Sequence, residues 1–420
     1  MSFIYSIKTM LISTRRVVRA TTLWFCFATL LLAGLNACEV VFPNTHPGNH
    51  DTINTMIWLP TDENWTGRFL GAGGFAVLTT DGGHAADAAI ESWAQISPGN
   101  VNWNLFQTFA SFSLDEATVL GRAVVEAYYG KGPTYSYWNE CSQGGRQGHL
   151  MAQRFVDHYA GTWATGAGTN WAKDENKHVV GLFPTLCELD AIRVASIEAC
   201  DALDDLKPAA PDDCTFDPHT RAGQTWEGAA FPQGKFLWYS LEPGAALCAS
   251  VATTCNNGTC VGAPVGITAE WNKYFVTIDL STVNIRVLDY LFHQSINRYD
   301  STIGTSDTDL SYFQKAGGRL ITSHGLADQL LPPGTLLNYV KRLHERDPNA
   351  SNYYKYFDAL GVDHCGLAGG KGCLIDWVEK GVAPDTLEAE TQNAAASCSV
   401  DLCLWPKKLV YLGGDPDVAC

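Results

Sequence analysis

Charge is scarce in this sequence, and what there is leans acidic. Asp, Glu, Lys and Arg make up 17% of 420 residues, and the formal net charge is −16. An acidic surface repels phosphate backbones and anionic bilayers, which argues against nucleic-acid and membrane-surface binding. No long polar tract occurs and 46% of the residues are hydrophobic, so the chain is not globally disordered. No internal repeat is visible. No pair of Cys-x-x-Cys motifs and no Cys/His cluster at zinc spacing is present, which argues against a structural zinc site. A long membrane-spanning run is missing too. The apolar stretch "TTLWFCFATLLLAGL", Thr21 to Leu35, is short for a span.

That stretch follows Arg15, Arg16 and Arg19, and small Ala37 stands just beyond it. The pattern is that of a signal peptide over residues 1–37, and it predicts a secreted chain with no membrane association once the signal is removed. An uncleaved anchor is the alternative, and "LNAC" at Leu35–Cys38 faintly resembles a lipoprotein box. Removal takes Lys8 and the three arginines with it and deepens the charge from −16 to −20.

Cysteine, by contrast, is plentiful. Fourteen cysteines in an exported chain predict disulfides. Three sequons, at Asn64, Asn257 and Asn349, also suit export and mark candidate glycosylation sites.

The chain is too long for one plain domain. Short apolar runs around glycine turns fill residues 51–80. A helix is expected over "FQTFASFSLDEATVLGRAVVEAYYG", a strand at "TYSYWN" and a helix over "RQGHLMAQRFVDHYA". Further on, "AGGRLITSHGLADQLLPP" reads as a buried strand and loop. "GTLLNYVKRLHER" reads as a helix, "YYKYFDALGVDHCG" as a strand and loop, and "CLIDWVEKGVAP" as a helix. The middle, with "CDALDDLKPAAPDDCTFDP" and "CASVATTCNNGTC", reads as loops stapled by disulfides. The expectation is an α/β fold: a core in two parts, 38–170 and 306–420, split by a lid insertion at 171–305.

"YWNECSQGGRQG" places Ser142 between a strand and a helix, as in the nucleophile turn of a serine hydrolase. An ordinary glycine turn is the other reading. Ester cleavage needs a histidine base and a carboxylate to orient it. In the order Ser, Asp, His, the candidates are Ser142, Asp328 and His364. Cys141 precedes the serine and Cys365 follows the histidine. A bridge between them would set the two backbones side by side, because a disulfide holds Cα atoms within about 4.4–6.8 Å. Both cysteines pairing elsewhere is the alternative.

Cys141-Ser142-Gln143-Gly144-Gly145-Arg146, His324-Gly325-Leu326-Ala327-Asp328 and His364-Cys365-Gly366 together resemble the tannase and feruloyl esterase family. "FQKAGGRLI" and "DWVEKGVAPD" are similar to it as well. The resemblance implies an α/β-hydrolase core with an inserted lid. It implies Ser142 as nucleophile, His364 as base, Asp328 as its orienter, and a Cys141–Cys365 disulfide. It also implies a closing Cys403–Cys420 disulfide. The oxyanion hole would combine the backbone N–H of Gln143 with one from "GAGG", Gly73 or Gly74. "GAGGFA" also matches a dinucleotide fingerprint, but a strand-like "FAVLTTD" follows where that motif needs a helix. No organic cofactor is therefore expected. The family's calcium loop corresponds to Asp201, Asp204, Leu206 and Ala210, with Pro208 replacing one carboxylate. The competing reading is an acidic loop held by Cys200–Cys214. The expected substrate is a small aromatic ester, feruloyl, galloyl or related, attached to plant polysaccharide or tannin. Glu140 stands where the nucleophile turn usually has glycine, and the glycine loop is shortened. Those two departures motivate the alternative of an impaired, hydrolase-shaped binding protein.

Overall fold

The computed structural model describes residues 30–409 without 33–34, 50, 62, 70–74, 85–87, 175–192, 196–228, 231–235, 243, 247–250, 257–258, 265, 279–284, 368–370 and 391–398. The chain forms two compact units. The first holds Met1–Trp138 and Arg154–Ala160, and the second Asn139–Gln153 and Gly161–Cys420.

The first unit is built on an antiparallel sheet. Strand β1 (Leu35–Asn44) pairs with β2 (Ile53–Pro60), which pairs with β3 (Val77–Thr80). Leu30–Leu32 adds a short outer strand to β1, so residues of the expected signal segment take part in the pairing. From Cys38 onward β1 pairs wholly with residues beyond that segment. β2 alternates, with Ile53, Thr55, Ile57 and Leu59 buried, as a half-covered antiparallel strand should. Val40, Ile57, Leu59, Phe69, Ala76 and Val125 form its core. Val125 comes from helix α1 (Ser113–Tyr129), which ends at Gly130 with φ +72, a left-handed cap that favours glycine. Gly121 of α1 lies so close to Phe69 that a Cβ there would sit 2.6 Å from its ring.

The second unit carries three parallel strands with continuous buried runs: β5 (Gly161–Thr165), β6 (Arg319–Gly325) and β7 (Tyr354–Ala359). Such strands are covered on both faces, which is why they lack alternation. Strand β4 (Tyr135–Cys141) enters this unit at Asn139 and delivers Ser142 to helix α2 (Gln143–Arg154). Helix α4 (Pro333–Arg346) buries Leu336, Tyr339, Val340 and Leu343 at helical spacing.

Three sequence expectations are corrected. The helix after Ser142 ends at Arg154 instead of running to Ala160. Residues 155–160 are held by tertiary bonds: His158 Nε2 lies 2.7 Å from Asp115, and the Tyr159 hydroxyl bonds Thr118. "CASVATTCNNGTC" is not a loop. Val251–Asn256 and Thr259–Pro264 pair as a hairpin, with Cys255 opposite Cys260. β-Branched Val251, Thr253, Thr254, Thr259 and Val261 suit the two strands. The middle also holds a 19-residue helix, α3 (Ile285–Ile303).

Candidate active site

Ser142 occupies a single left-handed residue, φ +60, between β4 and α2. Its N–H donates to the Thr165 carbonyl at 3.0 Å, and its own carbonyl accepts from the Arg146 N–H at 2.9 Å. A non-glycine residue in this region is costly unless its surroundings hold it there, and such strain gathers at functional sites. Two glycines create the room. A Cβ on Gly145 would lie 2.5 Å from the Thr165 carbonyl oxygen, and one on Gly144 would lie 2.4 Å from Cβ of Glu140. Glu140 is exposed, and the space for it comes from the glycine four residues later.

Arg146 is fully buried. Its Nε donates to Gln143 Oε1 at 2.8 Å, and its Nη1 donates to the Ile303 carbonyl at 2.9 Å. The guanidinium therefore ties the first turn of α2 to the last turn of α3, where a cation also complements the helix dipole. Gln143 opens α2, so its backbone N–H is among the helix-start donors with no partner inside the helix.

Cys141 and Cys365 form a disulfide with Cα atoms 5.8 Å apart, spanning 224 residues of sequence. It brings the histidine loop to the serine turn. Cys365 is left-handed too, φ +61. A His364 ring nitrogen and both bridge sulfurs lie within 4.8 Å of one another. His364 Nδ1 is 2.8 Å from Asp328 Oδ2, and the His364 N–H donates to Gln329 Oε1 at 2.9 Å. The nitrogen left over on that ring is Nε2, the atom a base would use.

Asp328 is buried just beyond β6. Its Oδ1 accepts the Leu330 and Leu331 N–H groups, each at 2.8 Å. Its Oδ2 is shared between His364 Nδ1 at 2.8 Å and His324 Nε2 at 3.0 Å. Burial alone would raise this carboxyl's pKa. Hydrogen bonds from His324 and His364 outweigh burial and hold it well below the usual carboxylate range. Asp328 is thus an anion at any working pH. Glycines again let the loops meet: a Cβ on Gly325 would lie 2.2 Å from the Val362 carbonyl oxygen. Gly166, φ +46, passes beneath the site, its Cβ position 3.6 Å from Asp328 Oδ2 and 3.7 Å from His364 Nδ1.

The structure therefore brings together Cys141, Ser142, Asp328, His364 and Cys365. Gly73, Gly74, Cys200, Asp201, Asp204, Leu206, Ala210, Cys214, Asn257 and Cys420 lie outside the described residues. Cys403, at the end of Ser399–Cys403, has a free thiol, and Cys420, the partner that the resemblance implied, lies outside the described residues. Asn64 and Asn349 are exposed, as a sequon must be to accept a glycan. Among the described residues, the one trio of ligand-type side chains close enough for a metal is Cys141, His364 and Cys365, and its two sulfurs are spent on the disulfide. No described helix is long and apolar enough to cross a membrane. The motif that contains His324 assigns it no part, and Gln329 just beyond that motif belongs to none. Neither contact is visible without the fold.

A family model described as tannase and feruloyl esterase matches residues 53–233 and 250–420. A probable feruloyl esterase of Arthroderma benhamiae is 33% identical over 92% of this chain and 85% of its own length. Feruloyl esterase C of Talaromyces stipitatus is 26% identical over 90% of this chain and 83% of its own. Among solved structures, the tannin acyl hydrolase of Aspergillus niger superposes with a TM-score of 0.81 at 24% identity, covering 94% of this chain and 88% of that one. Feruloyl esterase B of Aspergillus oryzae gives 0.75 at 23% identity, over 90% and 88%. At such identity these two superpositions speak for the α/β fold. With its matched length and its curated relatives, the chain belongs to the tannase and feruloyl esterase family of carboxylic ester hydrolases.

Proposed function

We propose that this protein is a secreted hydrolase of aromatic carboxylic esters, feruloyl, galloyl or related phenolic acyl groups, carried on plant polysaccharide or tannin. One observation carries the reading: a left-handed serine turn is bridged by Cys141–Cys365 to a histidine whose Nδ1 is held by a buried carboxylate. Ser142 Oγ attacks the ester carbonyl carbon while His364 Nε2 takes the hydroxyl proton. The imidazolium forms against the Asp328 anion, which stabilises it and keeps Nδ1–H in place. The oxyanion is met by the Gln143 N–H at the start of α2 and by one from Gly73 or Gly74. The alkoxide leaves as the alcohol, taking the proton from His364, and the acyl-enzyme remains. Water, deprotonated by His364, then releases the acid and restores Ser142. One ester and one water give one acid and one alcohol.

The relatives named feruloyl esterase support the acyl class. Calcium is held as a separate proposal for the loop at Asp201 and Asp204, where two carboxylates suit a hard cation. No step of the reaction passes through it. Glu140 gives little support to an impaired enzyme, because Gly144 makes room for it.

The test is hydrolysis of methyl ferulate and methyl gallate by the purified protein and by Ser142→Ala. The expected result is turnover by the parent and a loss of about 10⁴-fold or more in the variant, as for other serine triads. Equal rates for both proteins would overturn the catalytic reading.

A further inference from the structure

His324 is the second imidazole on Asp328, and nothing in the reaction described so far requires it. It lies in β6, is fully buried, and stands four residues before the carboxylate it touches. Its Nε2 is 3.0 Å from Asp328 Oδ2 and 3.0 Å from the Leu331 carbonyl oxygen. A carboxylate and a carbonyl only accept, so Nε2 carries the proton. Its Nδ1 is buried and has no hydrogen-bond partner among the described residues. A proton there would be a buried donor without an acceptor, on a cation away from water, so the ring is the neutral Nε2–H tautomer.

We propose, resting on the ester-hydrolase reading above, that His324 is a positioning residue. Its Nε2–H holds Oδ2 of Asp328 and so sets both the aim of the carboxylate and the share of its charge that reaches His364. The argument is one of competition. Oδ1 is occupied by two backbone N–H groups, and Oδ2 divides its electron density between two imidazole donors. With His324 present, the carboxylate cannot swing away from His364 without losing a bond on each oxygen. The same bond weakens the pull of Oδ2 on the imidazolium that forms at His364 in the reaction. Charged groups on the surrounding elements include Asp363 beside His364, Glu140 at the end of β4, Arg146 on α2, Arg319 on β6, and Lys355 and Asp358 on β7. Asp358 stands opposite His324 on β7 and is bonded by the Tyr356 hydroxyl.

The experiment compares wild type with His324→Leu, which removes the donor, and with His324→Gln, whose amide N–H can replace Nε2–H. Three readouts are taken: kcat and KM on methyl ferulate and methyl gallate, the pH profile of kcat/KM, and the titration of the His364 ring by NMR. For His324→Leu the expected result is a kcat lower by about tenfold or more with KM within about twofold, since only the triad's geometry is touched. The acid limb of the profile and the His364 midpoint both move upward, because Asp328 then spends more of its charge on His364. His324→Gln restores most of the rate and returns the limb towards wild type. Unchanged kcat and an unshifted His364 midpoint in His324→Leu would overturn the proposal. So would equal losses in both variants with a lowered Tm and an unmoved acid limb, which would mark a packing role alone. If wild type hydrolyses neither ester, the functional reading fails, and the His364 titration in the three proteins still decides whether His324 tunes that ring.

Discussion

At the scale of single residues, the site is made by close approaches that glycine permits. Glu140 and Gly144 are the sharpest case. Nucleophile turns of this kind usually put glycine two residues before the serine, and here a glutamate occupies that place. The structure places the missing side chain's space at Gly144, where a Cβ would fall 2.4 Å from Cβ of Glu140 and 3.1 Å from its Cγ. Both contacts are to atoms near the backbone, so the neighbour cannot simply swing aside. Gly144→Ala is therefore expected to cost about 1–3 kcal/mol through overpacking and to distort the Ser142 turn. Adding Glu140→Gly to it should recover much of that loss. The measurement is a double-mutant cycle in Tm and in ester hydrolysis. Additive effects of the two substitutions would show that the residues do not share the space.

At the scale of elements, the loop between β1 and β2 is clipped to α1 by one imidazole. His46 Nδ1 lies 2.6 Å from Asp51 Oδ2, and Nε2 lies 2.8 Å from Glu116 Oε1 in the first turn of α1. Burial alone would lower the pKa of His46. Hydrogen bonds and charge attraction from Asp51 and Glu116 overcome it and raise the pKa above the ordinary 6.5. Asp51 moves the other way: burial would raise it, but bonds from His46 hold it below 3.8. A raised imidazole stabilises the fold fully below its unfolded value and loses that contribution as pH rises through its folded value. A lowered carboxylate contributes above its unfolded value and loses that as pH falls. The clip is thus strongest from about pH 4 to 6.5 and fades on the alkaline side. Urea unfolding of wild type and His46→Asn should show a stability gap near pH 5.5 that narrows by pH 8.5. A gap independent of pH would mean that the clip is held by packing, not by charge.

Elements also show where the sequence was readable. β4, β6 and β7 could be read because each is rich in aromatic or β-branched residues and lies beside a glycine or proline. The three motifs could be read because chemistry fixes their residue types. β5 is not legible because "GTWAT" is short and follows directly on a stretch that reads as helix through Ala160. α3 escaped because Leu288, Leu291, Phe292, Tyr299 and Ile303, buried at helical spacing, stand after a stretch dominated by cysteine and turns. His324 is legible as part of a motif, but its partner oxygen depends on how the loop after β6 folds back. Sequence spacing carries no trace of that.

At the scale of the whole molecule, the decisive connection is covalent. Cys141 and Cys365 both belong to the second unit, yet 224 residues separate them. Closing a loop of that length removes unfolded-state entropy worth about 5 kcal/mol in the chain-entropy picture. The contribution is global, whereas the geometry that it fixes is local: Ser142 on one side and His364 on the other. The hydrogen bond from the His364 N–H to Gln329 is the second restraint on the same loop, and it involves neither sulfur. Two consequences should therefore separate. The Cys141→Ala/Cys365→Ala variant should unfold at a lower Tm but keep its far-UV circular dichroism, because β5, β6 and β7 pair without the bridge. Its kcat/KM should fall by a factor of about 10² or more at temperatures well below that Tm, since small displacements between nucleophile and base are amplified in the rate. Full ester hydrolysis by a folded, bridge-free variant would show that Gln329 and the loop packing suffice, and that the disulfide acts on stability alone.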